Sequence, residues 1–457
     1  MMRSFNPATD VLLGEYALHE ATAVEQRLAR AALAQRAWAR QPVAERAALL
    51  RRVAGVLRAR KAELAPLITL EMGKPLAESL GEVEKCAWNM DFYAEQGPAF
   101  LADQVVASGA ADSRIVYDPI GLVLAVMPWN YPFWQVMRAA APVLVGGNAL
   151  LLKHASNVPQ CALALEQVFR DAGAPEGLFT TLMLDSARVG AVIDDARVAA
   201  VTFTGSTPVG RSIASRAGQA LKKQVLELGG SDPFIVLADA DIEQAAAVAV
   251  KARFANTGQS CISSKRFIVE AGVADRFVDA FVAGARQLVV GDPMQAGVTV
   301  GAMANRKLRD ELHAQVEASR VEGARVLIGG QPLEGVGAFY PPTVLDHVTP
   351  DMTVAREETF GPAAAVLRVA DAAEAVRVAN ATEFGLGAAL WTGDADRARQ
   401  LTREIEAGAV FVNGLVASDP RLPFGGIKQS GYGRELGHLG LHEFMNIKTV
   451  WTGPART

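Results

Sequence analysis

Cysteine is scarce in this chain: 457 residues hold three, Cys86, Cys161 and Cys261, too few and too scattered for a disulfide framework or a zinc site. A surplus of charge is nearly missing as well. The 45 Lys and Arg against 49 Asp and Glu leave −4, which gives no electrostatic reason to expect a nucleic-acid partner. Long apolar runs are lacking. The most apolar stretch, 139–152, is too short to span a bilayer and is broken by Pro142 and Gly146-Gly147, so no membrane partner is expected. Residues Met1 to Asp10 carry no apolar signal core, which together with the few cysteines predicts a cytoplasmic protein. No short repeat and no low-complexity linker divides the chain. What is present is length and apolar content: 50% hydrophobic residues, enough for a large core shared among about three domains.

Residues 18–97 read as helices, with Leu49, Leu50, Val53, Val56 and Leu57 at helical spacing. The Arg and Lys residues between 51 and 61 sit among acids and read as a solvated face. Ser113 to Tyr117 reads as a strand of an exposed hairpin. After Pro119 the periodicity switches. Strands are predicted at 120–127, 149–153, 178–184, 198–204 and 223–227, then at 233–237, 266–270, 324–328, 363–367 and 408–412, with helices between many of them. This alternation predicts two doubly wound, mostly parallel α/β units meeting near Leu228-Gly-Gly230.

Two loops near that junction carry the chemistry. Phe254-Ala-Asn-Thr-Gly-Gln-Ser-Cys261 surrounds one cysteine with small polar residues, which suits an open loop rather than a packed face. Leu226-Glu-Leu-Gly-Gly230 offers one carboxylate, Glu227. A thiolate to attack carbon and a carboxylate to activate water make a covalent catalyst; the competing reading of Cys261 is a buried structural thiol. Phe203-Thr-Gly-Ser-Thr207 follows a strand and opens a helix, where Gly205 permits close approach and Ser206 offers a hydroxyl to a phosphate. It is not a G-x-G-x-x-G fingerprint. Lys153, at the end of another strand, could reach a ribose or phosphate. Asn130, in Pro128-Trp-Asn-Tyr-Pro132, offers an amide to an oxyanion.

Together these stretches resemble the NAD(P)-dependent aldehyde dehydrogenase superfamily over nearly the whole chain. Glu71-Met-Gly-Lys-Pro75, Pro128-Trp-Asn-Tyr-Pro132, Glu227-Leu-Gly-Gly230, Gly258-Gln-Ser-Cys261, Glu358-Thr-Phe-Gly-Pro362 and Pro423-Phe-Gly-Gly426 occur in the family's order, with Cys261 34 positions after Glu227. Within the superfamily the chain is most similar to succinate-semialdehyde dehydrogenases. The resemblance implies Cys261 as nucleophile, Asn130 and the Cys261 N–H as oxyanion donors, Glu227 as base and Glu435 as a proton-relay partner. It implies cofactor contacts from Trp129, Lys153, Ser156, Gly205, Ser206, Glu358 and Phe360, and no metal. It further implies a cofactor-binding domain at 1–97 and 119–229, a catalytic domain at 230–430, and an oligomerisation element at 98–118 and 431–457 that makes a homodimer or homotetramer. The implied reaction oxidises an aldehyde through a thiohemiacetal and a thioester to the carboxylate.

The resemblance also bears on substrate and cofactor. Arg138 matches an arginine that succinate-semialdehyde dehydrogenases use for the distal carboxylate, and Ser418 matches its hydroxyl partner. A second arginine of many relatives is replaced by Ala255, six residues before Cys261. The alternative is therefore a broad-specificity medium-chain or aromatic aldehyde dehydrogenase in which Arg138 is structural. Ser156 stands where NAD-preferring relatives often carry a glutamate, so either NAD or NADP is expected.

Overall fold

The computed structural model describes residues 1–453 and folds the alternating strands and helices into two α/β lobes. The first is built on a six-stranded sheet ordered Gly431–Tyr432, Lys223–Glu227, Val198–Thr204, Leu122–Met127, Ala149–His154, Phe179–Thr181. All pairs are parallel except that of Gly431–Tyr432, which lies antiparallel to Glu227 and Leu226. Leu122–Met127 is buried at every position, as a central parallel strand covered by helices on both faces must be. From that strand the chain adds two strands on one side, then returns to add Val198–Thr204 on the other. The order reverses there, and a crevice opens beyond the strand ends at such a reversal.

The second lobe holds a seven-stranded sheet ordered Arg325–Ile328, Thr343–Asp346, Ala363–Val369, Ser264–Glu270, Asp232–Val236, Gly387–Trp391, Ala409–Val412, antiparallel only at Arg325–Ile328. The doubly wound α/β class is as predicted. A three-stranded sheet stands apart: Asp112–Pro119 pairs with Met445–Thr452 along eight residues and with Gln104–Val105 on its other edge. Within the segment 431–457, expected to oligomerise, Gly431–Tyr432 joins the first sheet and Met445–Thr452 this small one.

Some elements differ from expectation for identifiable reasons. The strand predicted at 178–184 is only Phe179–Thr181. Gly387–Trp391 escapes sequence reading because Gly-Ala-Ala is poor strand composition. Its Gly387 is required by packing, since a Cβ there would lie 2.6 Å from the Asp232 carboxylate. The helix Arg306–Val321 and the hairpin Met2–Phe5 with Leu12–Tyr16 were not anticipated.

One buried ion pair fixes how the helices meet the first sheet. Lys74 and Glu82 pair with side chains essentially out of solvent, and Lys74 Nζ lies 3.8 Å from the centre of the Tyr131 ring. The other Glu82 oxygen accepts the backbone N–H groups of Phe133 (2.8 Å) and Trp134 (2.9 Å), which begin the Trp134–Val145 helix. A carboxylate at a helix N-terminus satisfies donors that have no partner within the helix. Glu82→Ala is expected to cost about 3–5 kcal/mol, because it leaves Lys74 charged and unpaired in the core. Urea unfolding would measure it, with Lys74→Met/Glu82→Leu losing less than Glu82→Ala alone.

Candidate active site

Strand register brings the predicted residues of the first lobe together. Met127 pairs with His154, Val126 with Phe203, and Thr204 with Glu227. The segments leaving these carboxyl ends, Pro128-Trp-Asn130 and Gly205-Ser206, therefore run side by side, with Glu227 at the next strand end. The second lobe offers the opposite polarity: Cys261 lies just before Ser264–Glu270, and Glu358 and Phe360 just before Ala363–Val369. Carboxyl ends of one sheet thus face amino ends of the other. Between them is a cavity of about 240 Å³ lined by Trp129, Asn130, Gly205, Ser206, Cys261, Glu358 and Phe360.

The Cys261 loop is held in an unusual backbone shape. Asn256, Thr257 and Gly258 are consecutive left-handed residues (φ 54°, 56° and 69°). For β-branched Thr257 this is an outlier that costs of order 1–3 kcal/mol and needs external support. The support comes from both lobes. Glu78 accepts the Asn256 N–H at 2.7 Å, and Thr257 Oγ1 accepts the Gly301 N–H at 3.2 Å. Lys265 Nζ donates to the carbonyls of Ser260 (3.0 Å), Cys261 (2.9 Å) and Ser263 (3.1 Å). Arg253, fully buried, donates to the Ala363 and Thr359 carbonyls and to Ser263 Oγ. A Cβ at Gly258 would strike the Gly361 carbonyl.

Asn130 is held at the cavity wall. Its Nδ2 donates to the Gln259 carbonyl at 3.1 Å, and its own carbonyl accepts from Asn256 Nδ2 at 3.0 Å. The amide is thus kept beside the nucleophile loop.

Glu227 and Glu435 form a second buried cluster. Among the described residues, neither Glu227 carboxylate oxygen has a hydrogen-bond partner. Burial first, and the neighbouring Glu435 second, push its pKa well above the ordinary carboxylate range, while Arg138 and Arg434 pull it down. Glu435 is likewise raised by burial and opposed by Arg138. Arg138 is ion-paired with Glu435, donates to Gln135 Oε1 at 2.7 Å and lies 4.8 Å from the centre of the Phe424 ring. It is fully buried and does not line the cavity. Ser418 instead accepts a hydrogen bond from Lys85 Nζ at 2.7 Å.

The cofactor candidates lie on both lobes: Lys153, Ser156, Gly205, Ser206 and Trp129 on the first, Glu358 and Phe360 on the second. Lys153 and Ser156 line a recess of about 320 Å³ with Asp185 and Ser186. Burial lowers the Lys153 pKa. Ser206 stands at the N-cap of the Thr207–Gln219 helix but makes no capping bond, which leaves that helix's first N–H groups free for a phosphate. Glu358 Oε1 accepts the Gly230 N–H at 3.0 Å; a Cβ at Gly229 would lie 2.6 Å from Glu358 Oε2. Phe360 packs edge-on against Trp129 with ring centres 5.7 Å apart. An uncapped helix end, a lysine in a recess and a glycine kept bare beside an acid fit a dinucleotide.

The chain matches the aldehyde dehydrogenase family over residues 1–450. It belongs to that family. Similar proteins include a succinate semialdehyde dehydrogenase [NAD(P)+] of Escherichia coli, 51% identical over 98% of this chain and 97% of the relative. A probable succinate-semialdehyde dehydrogenase [NADP(+)] of Synechocystis is 49% identical over 98% of this chain and 99% of its own. Among solved structures, a succinic semialdehyde dehydrogenase of Streptococcus pyogenes in complex with NADP+ superposes with a TM-score of 0.97 at 36% identity, covering 99% of this chain and 100% of that one.

Sequence reasoning missed the residues that support the nucleophile loop from behind: Lys265, Arg253, Glu78 and Asn256. Of these, Lys265 gave a signal, standing beside Arg266 just ahead of the apolar Phe267-Ile-Val269 of its strand.

Burial raises the Cys261 thiol to about 12, with Arg138 and Lys265 opposing that rise and Glu227 and Glu358 adding to it. A raised thiol is neutral below its pKa and gains nucleophilicity only as pH rises. Iodoacetamide alkylation of Cys261 in the cofactor-free enzyme should therefore keep accelerating past pH 9. A plateau below pH 8, followed by mass spectrometry, would contradict that environment.

Proposed function

We propose that this protein oxidises short aldehydes carrying a distal carboxylate, succinate semialdehyde in the first instance, to the dicarboxylate with NAD(P)+. The observation that carries the reading is the cavity shared by Cys261 and Asn130 where the two sheets meet, with buried Glu227 at the adjoining strand end, in a chain about half identical to proteins named for that reaction. The Cys261 thiolate attacks the aldehyde carbon, and the resulting oxyanion is received by the Asn130 amide and the Cys261 N–H. Bound NAD(P)+ supplies the hydride acceptor. Lys153, Ser156, Ser206, Glu358 and Phe360 would hold it, with Gly205 keeping the backbone open and Trp129 bracing Phe360. Glu227 then takes a proton from water as the thioester is hydrolysed, with the neighbouring Glu435 as its partner in the proton relay.

The broad-specificity reading keeps one observation in its favour: Arg138 is committed to Glu435, and position 255 is alanine. The outer three-stranded sheet exposes Ile447, Val450 and Trp451, which supports a homodimer or homotetramer.

Cys261→Ala should abolish aldehyde oxidation by about four orders of magnitude. Glu227→Gln should give one burst of reduced cofactor per site and then turn over about 100-fold more slowly; steady turnover equal to wild type would remove Glu227 from its role. The raised carboxyl of Glu227 is protonated, and useless as a base, below its pKa. Deacylation should consequently fall away as pH drops at values above the ordinary carboxylate range of roughly 4, visible in the pH profile of kcat.

A further inference from the structure

An amide side chain has a donor end and an acceptor end of nearly the same shape, so something must decide which end of Asn130 faces the nucleophile. Two neighbours do. On one side Asn130 Nδ2 meets the carbonyl of Gln259, two residues before Cys261, at 3.1 Å. That carbonyl also accepts from Asn256 Nδ2 at 3.0 Å, and it can offer only lone pairs. On the other side Asn130 Oδ1 lies 3.4 Å from Gln135 Nε2.

Gln135 meets the same ambiguity, and the residue behind it settles the matter. Arg138, one turn along the Trp134–Val145 helix, donates from Nη2 to Gln135 Oε1 at 2.7 Å. A guanidinium has five N–H donors and no acceptor, and it does not lose its proton in a protein. Only the carbonyl end of Gln135 can therefore turn toward it. Nε2 is left pointing at Asn130, which must answer with Oδ1. Glu435 holds Arg138 in turn by ion pairing.

This chain of polarity is shielded from solvent. Asn130 is 3% exposed and Gln135 and Arg138 are 2% exposed, while Gln135 and Asn130 both line the cavity beside Cys261. A flipped Asn130 would set Oδ1 against the Gln259 carbonyl and Nδ2 against Gln135 Nε2. Both mismatches would be buried, where unmet polar groups are most costly.

We propose that Gln135 is a positioning residue for the oxyanion amide: it passes the donor-only character of Arg138 to Asn130, so that the Nδ2 end is presented to the oxygen formed when Cys261 attacks. Nδ2 keeps its second N–H for that oxygen. This rests on the oxyanion role given to Asn130 above and names what enforces it. Gln135 acts through Asn130 and takes no part in bond making.

Stopped-flow measurement of the first turnover of reduced cofactor tests it, with full-length enzyme and saturating NADP+ and succinate semialdehyde. Asn130→Ala should slow that turnover about 100- to 1000-fold. Gln135→Met, which removes the Nε2 donor at similar size, should slow it about 5- to 20-fold, with KM for aldehyde and cofactor within about twofold. Gln135→Glu keeps the shape and the Arg138 contact but offers only acceptors, so its loss should be larger, about 100-fold. In an Asn130→Ala background both losses should shrink to about threefold or less, because the group they act through is gone. Losses that persist undiminished in that background, or a Gln135→Glu enzyme no slower than Gln135→Met, would overturn the polarity relay. If Gln135→Met proves insoluble, Gln135→Glu decides by the same comparison of backgrounds. An Asn130→Ala enzyme with an unslowed first turnover sinks the oxyanion role itself, whereas a slow Asn130→Ala beside Gln135 variants of wild-type speed sinks only Gln135.

Discussion

A buried ammonium bonded to three backbone carbonyls is the interaction on which the rest of this site depends. Lys265 sits beneath Cys261 with its Nζ on the Ser260, Cys261 and Ser263 carbonyls, and its nearest carboxylate, Glu358, stands 3.8 Å away. Burial works against its charge. Those three carbonyls would otherwise have few partners in so irregular a loop, and an unpaired buried carbonyl is costly. The lysine thus lets a loop that is neither helix nor strand be as rigid as either. A nucleophile must be held within a fraction of an ångström to profit from proximity, and here a cation rather than secondary structure supplies that precision.

The second constraint is electrostatic. Glu227, Glu435 and Cys261 are three groups that gain negative charge and share Arg138, with Arg434 also drawing on Glu227 and Lys265 on Cys261. The Glu227 charge opposes ionisation of Cys261, and the Glu435 charge opposes that of Glu227, at close range in a dry site. Charge is therefore held by these groups in turn, and ionising one makes ionising the next harder. That ordering suits a reaction in two stages, thiolate first and general base second.

Much of this was legible in the sequence where a residue's neighbours are its own. Val198–Thr204 matches its predicted bounds because a largely apolar run ended by Gly205 leaves little other reading, and Lys223–Glu227 does so because Gly229-Gly230 close it. Cys261 and Glu227 stood out for the same local reason. What stayed hidden is whatever depends on distant partners. Arg138 could be located in a pattern, but its pairing with Glu435, 297 positions later, is a property of the packed chain. The bond between Lys85 on a long helix and Ser418 near the far end of the sequence is likewise a property of the packed chain. Gly387–Trp391 was invisible because its strand character comes from flanking strands rather than from its own side chains.

The left-handed turn at Asn256-Thr257-Gly258 draws one support from Glu78 in the first lobe and another from Gly301 in the second. The turn is complete only when both lobes are docked. A chain warmed toward melting would on that account surrender turnover while most of its helices were still intact. Competence in this molecule reports on the seam between halves sooner than on either half.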